Sequence, residues 1–170
     1  VIPCGLPPSD RFAWADGLQA PTVQENPDFE YLYWIGCAAS YDRRIQNIAR
    51  SVVTLLNSAD VSFAVLGAEE RCTGESARRM GDEFLFQELA QANIETLQKH
   101  GVRKIVVHCP HCLTSFRSDY PLLDACFEVV HHSQLIADLA AAGRLPRGAD
   151  RADEIAYHDP CYLARVQGIT

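Results

Sequence analysis

The groups in this 170-residue chain most able to do chemistry are its seven cysteines, and four of them fall in a telling pattern. Thirty-four residues separate Cys37 from Cys72, and Cys109 and Cys112 close a CPHC turn further on. Four thiolates brought to one place would form a soft sulfur site, which selects zinc, copper(I) or an iron–sulfur cluster over hard ions. The CxxC alone discriminates less, because it serves zinc sites, clusters and thiol redox centres alike. Cys4 and Cys126 read instead as small apolar residues, one in a proline-rich segment and the other ahead of a strand without a cysteine nearby. An odd cysteine count is poorly explained by a disulfide framework. No charged segment followed by an apolar run stands at the front, so the expected setting is cytoplasmic, with reduced thiols.

The elements that would carry these thiols alternate. YLYWIG (31–36) reads as a buried strand. Ser40 is placed to cap a helix with apolar residues at Ile45, Ile48, Ala49, Val52, Leu55 and Leu56. VSFAVLG (61–67) is a second strand, followed by a long helix over 75–100 with Leu85, Leu89 and Ala92 on one stripe and Gly101 at its end. KIVVHC (104–109) is a third strand, with a short helix over 113–119 ending before Pro121. FEVVHH (127–132) is a fourth, and Ser133 would cap a helix that stops at Gly143. EIAYHD (154–159) opens a fifth.

This alternation predicts an α/β, Rossmann-like layered fold, with a mainly parallel sheet of about four to five strands and helices on both faces. Cys37, Cys72, Cys109 and Cys161 then all follow strands, at the carboxyl edge where such sheets gather ligands. Residues 1–30 hold five of the nine prolines and read as an extended lead-in from an upstream region. Residues 31–150 form a first cysteine-rich α/β domain, and 151–170 the start of a second, truncated one. The chain is expected to be a piece of something longer.

Composition excludes several classes. A net charge of −7, with the acids dispersed, is the wrong sign for tracking nucleic-acid phosphates. The longest apolar runs fall far short of the roughly 20 residues of a membrane helix. GxGxxG is absent, so no dinucleotide fingerprint is present.

The spacing and flanks (GCAASYDRR around Cys37, EERCTGESARRMG around Cys72, VVHCPHCLTSF around Cys109 and YHDPCYLAR around Cys161) resemble the cysteine-rich CCG domain. That family includes the catalytic subunit of heterodisulfide reductase, iron–sulfur subunits of glycolate oxidase and anaerobic glycerol-3-phosphate dehydrogenase, and membrane-linked oxidoreductases that pass electrons to quinone. The resemblance covers about residues 31–170 and implies an electron-transfer module of a multi-centre oxidoreductase. It implies Cys37, Cys72, Cys109 and Cys112 as cluster ligands, other iron–sulfur or flavin subunits as partners, and a quinone-linked membrane partner as a further option. In the family the domain occurs in tandem, which makes Cys161 the first ligand of a second site. Thr73 stands where the family has its second adjacent cysteine, so a [4Fe–4S] cluster could be a cubane on four thiolates or a non-cubane form.

Two other readings stay open on the residues. The same thiolates would suit zinc in a structural or partner-docking domain. CPHC after a strand also resembles the active site of thioredoxin-fold disulfide oxidoreductases, although Cys37 and Cys72 would then be idle. Among the histidines, His111 and His132 are the candidates to donate to cluster sulfurs, with His108, His131 and His158 as hydrogen-bonded residues at strand ends. Arg78 and Arg79 could offset the cluster's negative charge.

Overall fold

Strand β1 (Tyr31–Trp34) consists of four large residues, three of them fully buried, as expected for a strand covered on both sides. The computed structural model describes residues 6–146, 148 and 154–170. In it β1 lies between β2 (Phe63–Ala64) and β3 (Lys104–Val107), and β4 (Glu128–His131) pairs with β3. All pairings are parallel, in the order β2-β1-β3-β4. The alternation of side chains along the strands divides the core in two. Leu32, Trp34, Ile105 and Val107 join one cluster with Phe86, Leu97, Phe116 and Tyr120. Tyr33, Ile35 and Val106 join the other with Val53, Leu56, Leu135 and Trp14. Helices therefore cover both faces, as a layered α/β fold requires.

The helices are α1 (Gly36–Tyr41), α2 (Arg43–Ser58), α3 (Glu75–Arg79), α4 (Glu83–Lys99), α5 (Pro110–Thr114) and α6 (His132–Ala141). Several differ from the sequence reading for local reasons. Ser40 lies inside α1 and its hydroxyl donates back to Gly36 O; Asp42 is the cap of α2, accepting from Arg44 N and Ile45 N. The single helix expected over 75–100 is broken by Gly81 at φ 88°, after which Asp82 caps α4. The buried stripe of α4 runs through Phe86, Leu89, Ala90, Asn93, Ile94 and Leu97. His131 takes the capping role given to Ser133, accepting from Ser133 N, while Gln134 completes a capping box. After α5 the chain continues through a π-helical turn (Ser115–Asp119) and a 3-10 turn (Tyr120–Leu123) that accepts Pro121 in its first turn, so the proline does not end the helical run.

Two segments depart further. The proline-rich lead-in holds a 3-10 helix over Pro8–Ala15, with Arg11, Trp14 and Ala15 buried. Pro8 stands in its first turn, where a proline's missing N–H leaves no bond unmade, and the segment is tied down by Arg50, which donates to Trp14 O and Asp16 O, and by a bridge between Thr22 and Val65. The expected fifth strand does not form. Residues 154–160 are irregular, and Ile155 and Tyr157 are exposed. They pair with neither outer strand of the sheet, β2 or β4. A π-helical turn (Tyr162–Val166) then packs Leu163 into the core. Among the described residues, no helix is long and apolar enough to cross a membrane.

Candidate metal centre

The site is assembled from three loops at the carboxyl ends of β1, β2 and β3. At the end of β1 the chain turns through Gly36 at φ 75° into α1, which presents Cys37. A Cβ at Gly36 would stand 3.2 Å from Cys112 Sγ, so the glycine is what lets these two loops close on each other. The N–H groups of Ile35 and Gly36 donate to the Glu70 carboxylate, both at 2.8 Å, fixing the entry to Cys37.

Beyond β2, Asn93 on α4 donates to Cys72 O at 2.8 Å and to Tyr120 Oη at 3.1 Å, and Tyr120 donates to Thr73 O. This buried pair holds the Cys72–Thr73 backbone. Gly74 follows at φ 83° and its N–H donates to Cys72 Sγ at 3.4 Å. Beyond β3, Cys109 is the cap of α5, and Pro110 starts the helix that carries Cys112.

Cys37, Cys72, Cys109 and Cys112 line one pocket of about 240 Å³, together with Ala38, Thr73, Glu75, Ser76 and His111. Thr73 is buried, with Oγ1 4.0 Å from Cys112 Sγ, so it stands within the thiol cluster. Among the described residues, no group of three or more His, Cys, Asp or Glu is drawn tightly enough to grip a single metal ion. The thiols are instead distributed around the wall of the pocket.

They pair through hydrogen bonds, and the pairs split their acidities. The Cys109 thiol is lowered to about 6, first by its hydrogen bond with Cys112, then by the N–H groups of Cys112 and His111. Cys112 is pushed up by the same bond, by burial and by the charge of Cys109. Cys37 is pushed up by its hydrogen bond with Cys72 and by burial, against the pull of the Arg11 guanidinium. Such a set carries protons that a metal must displace.

The structure sorts the other candidates. His111 lines the pocket, with Nδ1 3.0 Å from Glu75 Oε1 and its ring stacked on Tyr162 at 3.9 Å. His132 is not among the lining residues; it belongs with His108 and His131 at the ends of β3 and β4. His108 Nδ1 meets Tyr33 Oη at 2.9 Å, and burial first, then His132 and His131, lowers it to about 4, so it is neutral at pH 7. His158 is exposed. Arg78 and Arg79 turn to Asp119, Glu75 and Glu83 and leave the thiols to another cation. That cation is Arg11, which the lead-in's proline content conceals. Its Nη1 is 3.7 Å and its Nη2 3.8 Å from Cys37 Sγ. Cys126 and Cys161 are exposed and outside the pocket's lining, and Cys4 lies outside the described residues.

Four soft thiols, one cationic donor and glycine turns that let the loops close make a donor set that fits an iron–sulfur group. Comparison with known proteins agrees. A family model described as "Cysteine-rich domain" matches residues 31–117. The chain is 44% identical, over 98% of its length, to a probable iron–sulfur-binding oxidoreductase of Bacillus subtilis, covering 25% of that protein. It is 38% identical over 98% of its length to the EtfAB:quinone oxidoreductase of Syntrophomonas wolfei, covering 24% of it. A third relative is one polypeptide of the dihydromethanophenazine:CoB–CoM heterodisulfide reductase of Methanosarcina barkeri, 36% identical over 94% of this chain, which covers 39% of that polypeptide. The chain thus spans about a quarter of the length of the first two of these relatives. No solved structure matches it. With its cysteine spacing, its parallel sheet and these relatives, the chain belongs to the cysteine-rich CCG domain family of iron–sulfur oxidoreductases.

Proposed function

We propose that this domain holds a [4Fe–4S] cluster on Cys37, Cys72, Cys109 and Cys112 and serves as an electron-transfer module of a larger oxidoreductase. The observation that carries this reading is that three separate loops deliver all four thiols to the wall of one pocket. Four thiolates match a cubane's need for one ligand per iron. When bound, the cluster would take up and release electrons. The chain's own residues supply the rest. Cys109, with its lowered thiol, offers a thiolate at neutral pH, and Glu70 holds the turn that presents Cys37. The relatives' names support iron–sulfur or flavin partners, with a quinone-linked oxidoreductase among the options. Residues 151–170 remain the start of a second cysteine-rich unit in this reading, with Cys161 serving a site completed outside this chain.

A specific observation favours a second reading. Cys109 sits at the start of a helix with its thiol lowered to about 6 while Cys112 is raised, the asymmetry a dithiol exchanger uses. Anaerobic purification followed by iron, sulfide and zinc analysis and an absorption spectrum separates the candidates. A brown protein with iron and sulfide in similar amounts is expected. Colourless protein with stoichiometric zinc would replace this reading with a structural zinc site. Metal-free protein with a Cys109–Cys112 disulfide would replace it with thiol chemistry.

Thr73 decides the cluster's form. Because its hydroxyl stands among the thiols, Thr73→Cys should place a fifth sulfur in the pocket and change the electron paramagnetic resonance spectrum of the reconstituted protein. An unchanged spectrum would show that position 73 does not act on the cluster.

A further inference from the structure

One buried ion pair stands against the site without belonging to its ligands. Arg11 is 1% exposed and Glu70 3%. Arg11 Nη2 meets Glu70 Oε1 at 2.7 Å and donates to Arg71 O at 3.1 Å, while both terminal nitrogens reach toward Cys37 Sγ. Glu70 in turn accepts the N–H groups of Ile35 and Gly36. Removing two charges from water costs several kcal/mol per ion, repaid only where geometry and extra hydrogen bonds are good. Here every one of those bonds runs to the loop that presents Cys37 or to the loop that presents Cys72. Arg11 lies outside the residues that the family model matches.

We propose that Arg11 is a positioning residue that donates to the Cys37 sulfur and, balanced by Glu70, sets the reduction potential of the cluster. The proposal rests on the iron–sulfur reading above. Reduction adds negative charge that is shared with the ligating sulfurs. A donor or cation beside a sulfur stabilises the reduced form and raises the potential, and an anion nearby lowers it. Burial weakens solvent screening, so removing either charge from the pair is felt at Cys37 more strongly than removing a surface charge would be. The two residues must therefore push the potential in opposite directions.

The test is a potentiometric titration of the 170-residue protein, reconstituted anaerobically with iron and sulfide, with iron counted per chain. Arg11→Gln should keep its iron and shift the reduction equilibrium at least tenfold toward the oxidised form, which is ~59 mV for a one-electron couple. Arg11→Lys, which keeps the charge and loses the two-nitrogen fork, should recover part of that shift. Glu70→Gln should move the potential the opposite way, a sign that general loosening of the fold does not produce. Unchanged potentials, or shifts of the same sign in Arg11→Gln and Glu70→Gln, would overturn the proposal while leaving the cluster reading intact. Wild-type protein that takes up neither iron nor sulfide would reject both. If Arg11→Gln does not fold, Arg11→Lys and Glu70→Gln decide by their opposite signs.

Discussion

If the proposed cluster sits on these thiols, Cys37→Ser, Cys72→Ser, Cys109→Ser and Cys112→Ser are each expected to bind far less iron than the wild-type chain. Each thiol lines the same pocket, and a serine hydroxyl is a poor replacement for a thiolate on iron. Loss of an outer hydrogen-bond partner typically costs a metal site roughly 10–100-fold, and loss of a direct ligand should cost more. Cys126→Ser and Cys161→Ser are the matched controls, since both side chains are exposed and neither lines the pocket. They should bind iron as the wild type does. Iron and sulfide per chain after anaerobic reconstitution give the readout, and full retention in Cys72→Ser would reject the site as drawn.

The second large effect is expected at Gly74. Its φ of 83° is a conformation that L side chains avoid at a cost of about 1–2 kcal/mol. A Cβ there would also stand 2.9 Å from Phe86 Cδ2 and 3.2 Å from Phe86 O, on a helix packed into the core. Forced overpacking of that kind adds about 1–3 kcal/mol. Gly74→Ala should therefore destabilise the fold by about 2–5 kcal/mol, a large part of the roughly 5–15 kcal/mol typical of a domain. It should also displace Cys72, whose sulfur accepts from Gly74 N. Gly81→Ala isolates the backbone contribution, because Gly81 has φ 88° but nothing within 4 Å of its Cβ position. Urea unfolding of the two variants should differ by the overpacking cost, and equal losses would show that the Phe86 contact is relieved at no cost.

How much of this is legible in the sequence depends on how local each signal is. The layered α/β fold, the four strands and the common edge of Cys37, Cys72, Cys109 and Cys112 follow from periodicity and from what ends each run, and both act over a few residues. The caps fall two residues from the sequence reading because Ser40 and Asp42, or His131 and Ser133, offer similar side-chain oxygens or nitrogens, and the backbone's exit from the strand chooses between them. The break at Gly81 is hidden because an isolated glycine within helical periodicity is often tolerated. EIAYHD has the composition of a strand but pairs with no strand among the described residues. Arg11, Glu70, Asn93 and Tyr120 escape a sequence reading altogether. Their contacts act across 21 to 60 residues of chain, and no neighbouring residue announces its partner. Arg78 and Arg79 draw attention by standing close to Cys72 in sequence, yet their carboxylate neighbours claim them.

The strand order has a kinetic consequence. Cys37 and Cys109 leave adjacent strands, β1 and β3, yet β2, α2 and α4 intervene between them in the chain. Bringing them together closes a long loop, whose entropy must be overcome before any contact rewards it. A nascent chain that has emerged only through β2 carries Cys37 but neither member of the CPHC turn. Small zinc modules gather their ligands locally and fold around the metal; here the thiols meet only when the central strands have paired. In the iron–sulfur reading proposed above, iron and sulfide are therefore expected to enter at the rim of a sheet that has already formed.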